Sequence, residues 1–248
     1  MNIRSFKAPR QRIFRSCIPG KFIRTDDWIS VDKLINSVSS QYTPTTPKVI
    51  LDVARSGLKL QIFDSKLWAL ICSNTLAVRE LYTPNQWVEL LHIYKRIKTR
   101  NPELFNAAAV QLGGRLNALS LRDLSILTLS FSYFTFCPNG LFENVAEIVC
   151  ARCDNSLISA NNEISSEITR NSVGLVDAES VENKCRLKNN ELSAITSYVH
   201  LLGSYAKCGF EHKQLFEVVA ESILNKLSKN NAIIPPNILL KLLTAYSR

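Results

Sequence analysis

Long apolar runs are missing from this sequence. The longest stretch, Leu124 to Phe136, is broken by Ser and Thr and is too short to cross a bilayer, which takes about 20 apolar residues. Neither a transmembrane segment nor a membrane partner is expected. Catalytic and metal-binding patterns are lacking as well. Cys150 and Cys153 form a single C-x-x-C, but a structural zinc site needs four ligands and no second pair stands at suitable spacing. His92, His200 and His212 are scattered, with no Asp or Glu pair recurring where it would orient an imidazole. Gly113-Gly114 is expected inside a helix, away from the strand-to-helix junction that a phosphate loop requires. No nucleophile motif is present. These absences argue against an enzyme, a metal, a cofactor and a small-molecule substrate. Seven cysteines with no secretory signal suit free thiols in a reducing compartment, packed as small hydrophobes.

What the chain does contain is repetition. Leu67-Trp68, Leu104-Phe105 and Leu141-Phe142 are spaced 37 residues apart, and Leu215-Phe216 lies 74 further on. A period of this size is the mark of stacked helical units, each unable to bury its apolar face alone. Thr46-Pro47, Thr83-Pro84 and Ser120-Leu121 share one register and read as helix starts, because Ser or Thr caps orphan N–H groups and Pro presets φ at the first position. Behind them Ile50, Val53, Gly57 and Leu60, then Trp87, Leu90, Tyr94 and Ile97, then Leu124, Leu127, Phe131 and Phe134 recur at helical spacing. This is helix A. After a polar break the Leu-aromatic pair opens helix B, with a small residue five positions on (Cys72, Ala109, Ala146, Ala220) and Leu116, Cys153 or Leu227 twelve positions on.

A fourth helix A carries Leu192, Ile195, Val199 and Leu202, followed by a break that reads as six residues longer than the others. A fifth begins at Pro235-Pro236 with Leu239, Leu242 and Tyr246. The expected fold is all-α, an α-solenoid of stacked antiparallel helix pairs with a 37-residue period. Its divisions are 1–25 (basic leader or RNA-contacting arm), 26–42 (linker), 43–153 (repeats), 154–187 (polar acidic insertion) and 188–248 (repeats, the last without its helix B). Residues 154–186 are rich in Ser, Asn and Glu, a composition expected of a mobile loop. Leu239, Leu242, Leu243 and Tyr246 are expected to lack a covering helix and to form a partner surface.

This arrangement resembles the heptatricopeptide repeat family, notably in Asp123-Leu124-Ser125-Ile126-Leu127 of helix A and Leu141-Phe142-Glu143-Asn144-Val145-Ala146 of helix B. The resemblance covers residues 43–157 and 187–248. Such repeats are common in organellar RNA-associated proteins and are expanded in apicomplexan mitochondria. The resemblance therefore implies an RNA-associated role in a mitochondrion. Some members end in a RAP domain. The resemblance here does not extend to one, which favours a short scaffold over nuclease-like activity.

Net charge is +9, and residues 1–25 hold seven basic side chains and no acid. Arg4, Lys7, Arg10, Arg12, Arg15, Lys21 and Arg24 alternate with apolar residues there, as in a mitochondrial presequence. A basic arm laid on RNA has the same composition. Residues 33–122 carry twelve bases against five acids, whereas 154–191 carry seven acids against four bases. Lys95, Arg96, Lys98 and Arg100 cluster at one helix-A end with Tyr94 beside them, the make-up of a phosphate-binding rim. The expected function is a non-catalytic subunit of a mitochondrial ribosome or related ribonucleoprotein in the matrix, contacting rRNA backbone and neighbouring proteins. Two alternatives stay open: a freestanding mitochondrial RNA-binding factor for transcript processing or stability, and a protein-only helical adaptor in a respiratory or import complex.

Overall fold

The computed structural model describes residues 46–167, 179–230 and 234–247, and these form helices joined by short connections, with no strand among them. The basic residues Arg4, Lys7, Arg10, Arg12 and Arg15 lie outside the described residues. The helices are α1 (Pro47–Lys59), α2 (Ser65–Ala77), α3 (Pro84–Arg96), α4 (Pro102–Leu112), α5 (Leu121–Tyr133), α6 (Asn139–Glu167), α7 (Glu179–Cys208), α8 (Lys213–Asn230) and α9 (Pro236–Tyr246). Single 3-10 turns at Arg79–Leu81 and Leu116–Ala118 join α2 to α3 and α4 to α5. No described helix is long and apolar enough to cross a membrane.

Local chemistry explains where the helices begin. Thr83 accepts from the Gln86 N–H while the Gln86 side chain accepts from the Thr83 N–H, a reciprocal cap with Pro84 behind it. Ser120 accepts from Asp123 N–H, Asp64 from Lys66 N–H and Asn101 from Leu104 N–H. At α8 the cap is a histidine: the Leu215 N–H donates to His212 Nδ1 at 3.1 Å.

Four helix ends share one geometry. Gln61, Lys98, Thr135 and Gly209 take φ of 54°, 58°, 54° and 64°, the left-handed conformation. The residue after each donates its N–H back to a carbonyl five earlier: Ile62 to Gly57, Thr99 to Tyr94, Phe136 to Phe131 and Phe210 to Tyr205, at 2.9–3.1 Å. This bond with its partner one residue inside satisfies carbonyls that the last turn would leave open. The positions 61, 98, 135 and 209 are separated by 37, 37 and 74. The break after α7 is therefore no longer than the others: α7 ends at Cys208 and α8 starts at Lys213, as α5 ends at Tyr133 and α6 starts at Asn139. The extra length expected there disappears because α7 runs a full turn past the last apolar residue used to place its end.

Packing follows two rows. The odd-numbered helices touch in order, α1 on α3, α3 on α5, α5 on α7 and α7 on α9. Among the even-numbered, α2 meets α4 and α6 meets α8, while the Leu116–Ala118 turn rests on α6. One apolar core runs continuously from Ile50 to Ala245. Each aromatic of the Leu-aromatic pairs meets a ring of the next odd helix: Trp68 with Tyr94, Phe105 with Phe131, Phe142 with Tyr205 and Phe216 with Tyr246, centroids 5.1–5.5 Å apart. The three tyrosines also donate their hydroxyls to the carbonyls of Trp68, Phe142 and Phe216 at 2.8, 2.5 and 2.7 Å. Gly57 stands where these rings stand later, and a Cβ there would come within 3.3 Å of the Trp68 ring. Lacking a side chain, α1 lets the indole lie against its backbone.

Three further expectations are corrected. The segment expected as a loop is helical where described, since α6 continues to Glu167 and α7 begins at Glu179. A helix anchored by a buried first half extends at low cost, one hydrogen bond for each residue ordered. Gly113-Gly114 follows α4 rather than lying within it, with Gly113 as the cap residue. Cysteines are not all free: Cys137 and Cys208 are disulfide-bonded, with Cα atoms 6.2 Å apart. The bond ties the turn after α5 to the end of α7. Cys72, Cys150 and Cys153 are buried thiols, and no group of potential metal ligands occurs among the described residues.

Candidate partner-binding surfaces

The odd-numbered row builds a recess, a groove of about 1120 Å³ lined by α3, α5, α7 and α9. Its apolar lining includes Ile126, Leu129, Val199 and Leu240, and Gly203 lines it as well. Five basic or titratable side chains line it: His92 and Lys95 from α3, Arg122 from α5, His200 from α7 and Lys241 from α9. Asp and Glu are absent from the lining. The carboxylates of Glu89 and Asp123 occupy an adjoining recess and both are engaged. Arg55 clasps Glu89 through two nitrogens at 2.5 and 2.7 Å, and Asp123 accepts from the Ser120 hydroxyl at 2.6 Å.

The electrostatic consequence is visible in the titrating groups. Burial, then Lys95, Arg96 and Arg122, hold the His92 imidazole below its usual range. Burial, then Lys241 and Lys95, do the same for His200. Lys95 is itself lowered by burial and by Arg96 and Lys207. Like charges oppose one another here without a counter-charge in the lining, so the groove favours an anionic occupant. Its hydroxyls add little donor capacity. Ser125, Thr196, Ser197 and Thr244 each donate to a carbonyl of their own helix.

The sequence cluster divides in the structure. Lys95 enters the groove. Arg96, at the last turn of α3, and Lys98 and Arg100, in the connection to α4, are exposed. None of these three has an ion pair among the described residues. Tyr94 is not part of this surface. It is fully buried, its ring against Trp68, because helical periodicity turns position 94 to the side of Trp87 and Leu90.

The α9 surface is partly covered. Leu239 and Leu243 are 44% and 59% exposed, and Leu240, not singled out from sequence, is 66% exposed. Leu242 packs against the core, and Tyr246 is held by Phe216. Sequence reasoning missed His92, Arg122, His200 and Lys241 as one site, because they span 150 residues. The spacing held a signal: Leu129 stands 37 residues after His92 and Gly203 74 after Leu129, and His200 stands 74 after Ile126, so lining the sequence up at that spacing would have brought groove residues together.

No family model matches the chain, and no curated protein does.

Proposed function

We propose that the chain is an α-solenoid with a 37-residue period that serves as a non-catalytic scaffold in a ribonucleoprotein, contacting RNA phosphates and neighbouring proteins. The repeat is supported by the four left-handed helix ends at a common spacing and by the recurring ring contacts between successive units. Arg115 and Arg152, themselves 37 apart, add a further recurrence: they donate to the carbonyls of Tyr82 and Leu119, also 37 apart. The heptatricopeptide resemblance agrees with this reading, and the family's organellar setting makes a mitochondrial ribosome the first assembly to test. The basic leader supports mitochondrial delivery. Against the matrix stands the Cys137–Cys208 bond, which favours an oxidising compartment; the redox state of that pair in the native protein decides between them.

The observation that carries RNA contact is the exposed set Arg96, Lys98 and Arg100, without an ion pair among the described residues and contiguous with Lys95. Cations without local counter-charges neutralise phosphates and release condensed counterions, which makes binding steeply salt-dependent and indifferent to sequence. The test is fluorescence anisotropy with labelled single-stranded RNA oligonucleotides of two unrelated sequences across a salt series. Arg96→Glu/Lys98→Glu should weaken both equally and flatten the salt slope by roughly two phosphate contacts. Unchanged affinity in the double variant would remove RNA contact from this surface. Leu239, Leu240 and Leu243 on α9 are the proposed protein-facing residues of the scaffold.

A further inference from the structure

We infer that the groove between α3, α5, α7 and α9 is a docking site for an acidic amphipathic helix of a partner protein, distinct from the RNA-contacting rim. Three observations select this occupant. First, the lining combines apolar side chains (Ile126, Leu129, Val199, Leu240) with cations on three helices and no carboxylate. That is the complement of a helix carrying Leu or Ile on one side and Glu or Asp at its flanks, the helix-in-groove mode of recognition. Second, the lining contains no Phe, Tyr or Trp. A single-stranded nucleic acid would find no aromatic platform for its bases, which such sites ordinarily supply. Third, four wall hydroxyls are turned back on their own helices, leaving few neutral donors for a sugar-phosphate chain. A helix presents its own backbone bonds already satisfied, so it asks the groove only for apolar area and counter-charge. An α-helix is about 10 Å across and rises 5.4 Å per turn, so 1120 Å³ is roughly the volume of two to three of its turns.

Gly203 supplies a clean probe. A Cβ built there meets nothing within 4 Å, and the residue lines the groove. Gly203→Leu therefore starts from an open Cβ position on the groove lining, and it replaces a poor helix former within α7. The inference does not depend on RNA binding by the rim, and the experiment separates the two. The full chain is titrated with three labelled probes: a designed 16-residue peptide with Leu on one face and Glu on its flanks, the same peptide with Lys for Glu, and a single-stranded RNA oligonucleotide. The acidic peptide should bind at least tenfold more tightly than its basic counterpart. Gly203→Leu and, separately, Lys95→Glu/Lys241→Glu should each weaken it at least tenfold, with circular dichroism unchanged. RNA affinity should survive Gly203→Leu and fall with Arg96→Glu/Lys98→Glu. Equal binding of the two peptides overturns the inference, as does acidic-peptide binding that ignores Gly203→Leu. Loss of RNA binding in Gly203→Leu would also overturn it, by assigning the groove to nucleic acid. RNA that ignores the rim variant counts against the RNA reading alone.

Discussion

Thr135 holds a left-handed backbone conformation, φ 54°, which costs a residue with a Cβ roughly 1–2 kcal/mol and is least tolerable for a β-branched side chain. Gly209 meets the same demand at φ 64° without strain. The pair gives a residue-scale prediction with opposite signs. Thr135→Gly should stabilise by up to about 1 kcal/mol, the relief of strain less the entropy that glycine adds to the unfolded chain. Gly209→Ala should destabilise by about 1 kcal/mol. Urea melts of both variants check this, and equal losses would show that the backbone at 135 is not strained. This scale also shows where sequence reading stops. Gly209 resembles a helix stop, but Gln61, Lys98 and Thr135 in the same conformation carry no such signal, since their φ is imposed by the turn and not by the residue type. Tyr94 failed for the opposite reason. Basic residues follow it in sequence, yet its ring faces inward because each helical step rotates the side chain by about 100°.

Between elements, the connections matter as much as the helix faces. Arg152 on α6 donates to the carbonyls of Leu119 and Asn117 at 2.8 and 2.9 Å, tying α6 to the turn that follows α4. Those carbonyls sit where the chain passes from a 3-10 turn into the cap of α5, so few backbone donors are available to them. Charge-assisted bonds of this kind are worth about 1.5–3 kcal/mol when well shielded, and less at this partly exposed site. Arg152→Met, which keeps the length of the stem, should cost about 1–2 kcal/mol in chemical denaturation. A loss below about 0.5 kcal/mol would mean that water replaces the guanidinium at no cost. The helices themselves were legible from Thr83-Pro84, Ser120 and the spaced Leu-aromatic pairs, because caps and apolar periodicity act locally. The Arg152 bridge was not, since it joins residues 33 and 35 apart through backbone carbonyls, which have no side-chain identity to read. The Cys137–Cys208 bond was hidden likewise, by a separation of 71 residues that only the packing of α5 on α7 closes.

At the scale of the whole molecule the groove links stability to pH. Burial and the neighbouring cations Lys95, Arg96 and Arg122 depress His92, and burial with Lys241 and Lys95 depresses His200. In the unfolded chain both imidazoles return to about 6.5. As pH falls through that value the unfolded state takes up protons before the folded state does, so folding loses free energy. The histidine contribution is therefore complete above about pH 6.5 and declines below it until the depressed folded values are passed. Thermal melts should show a lower Tm at about pH 5.5 than at about pH 7.5, with the His92→Gln/His200→Gln variant losing less over the same interval. Parallel losses in wild type and variant would place the acid sensitivity in other groups. An acidic helix seated between Lys95 and Lys241 reverses the sign, because carboxylates beside the imidazoles favour their charged form. The acidic peptide should then bind more tightly at about pH 6 than at about pH 7.5, and by linkage its presence should raise Tm most where the free protein is weakest. The double histidine variant should bind the peptide with little change across that interval. A peptide affinity in wild type that is flat or falls toward pH 6 would mean that the bound carboxylates do not reach His92 or His200.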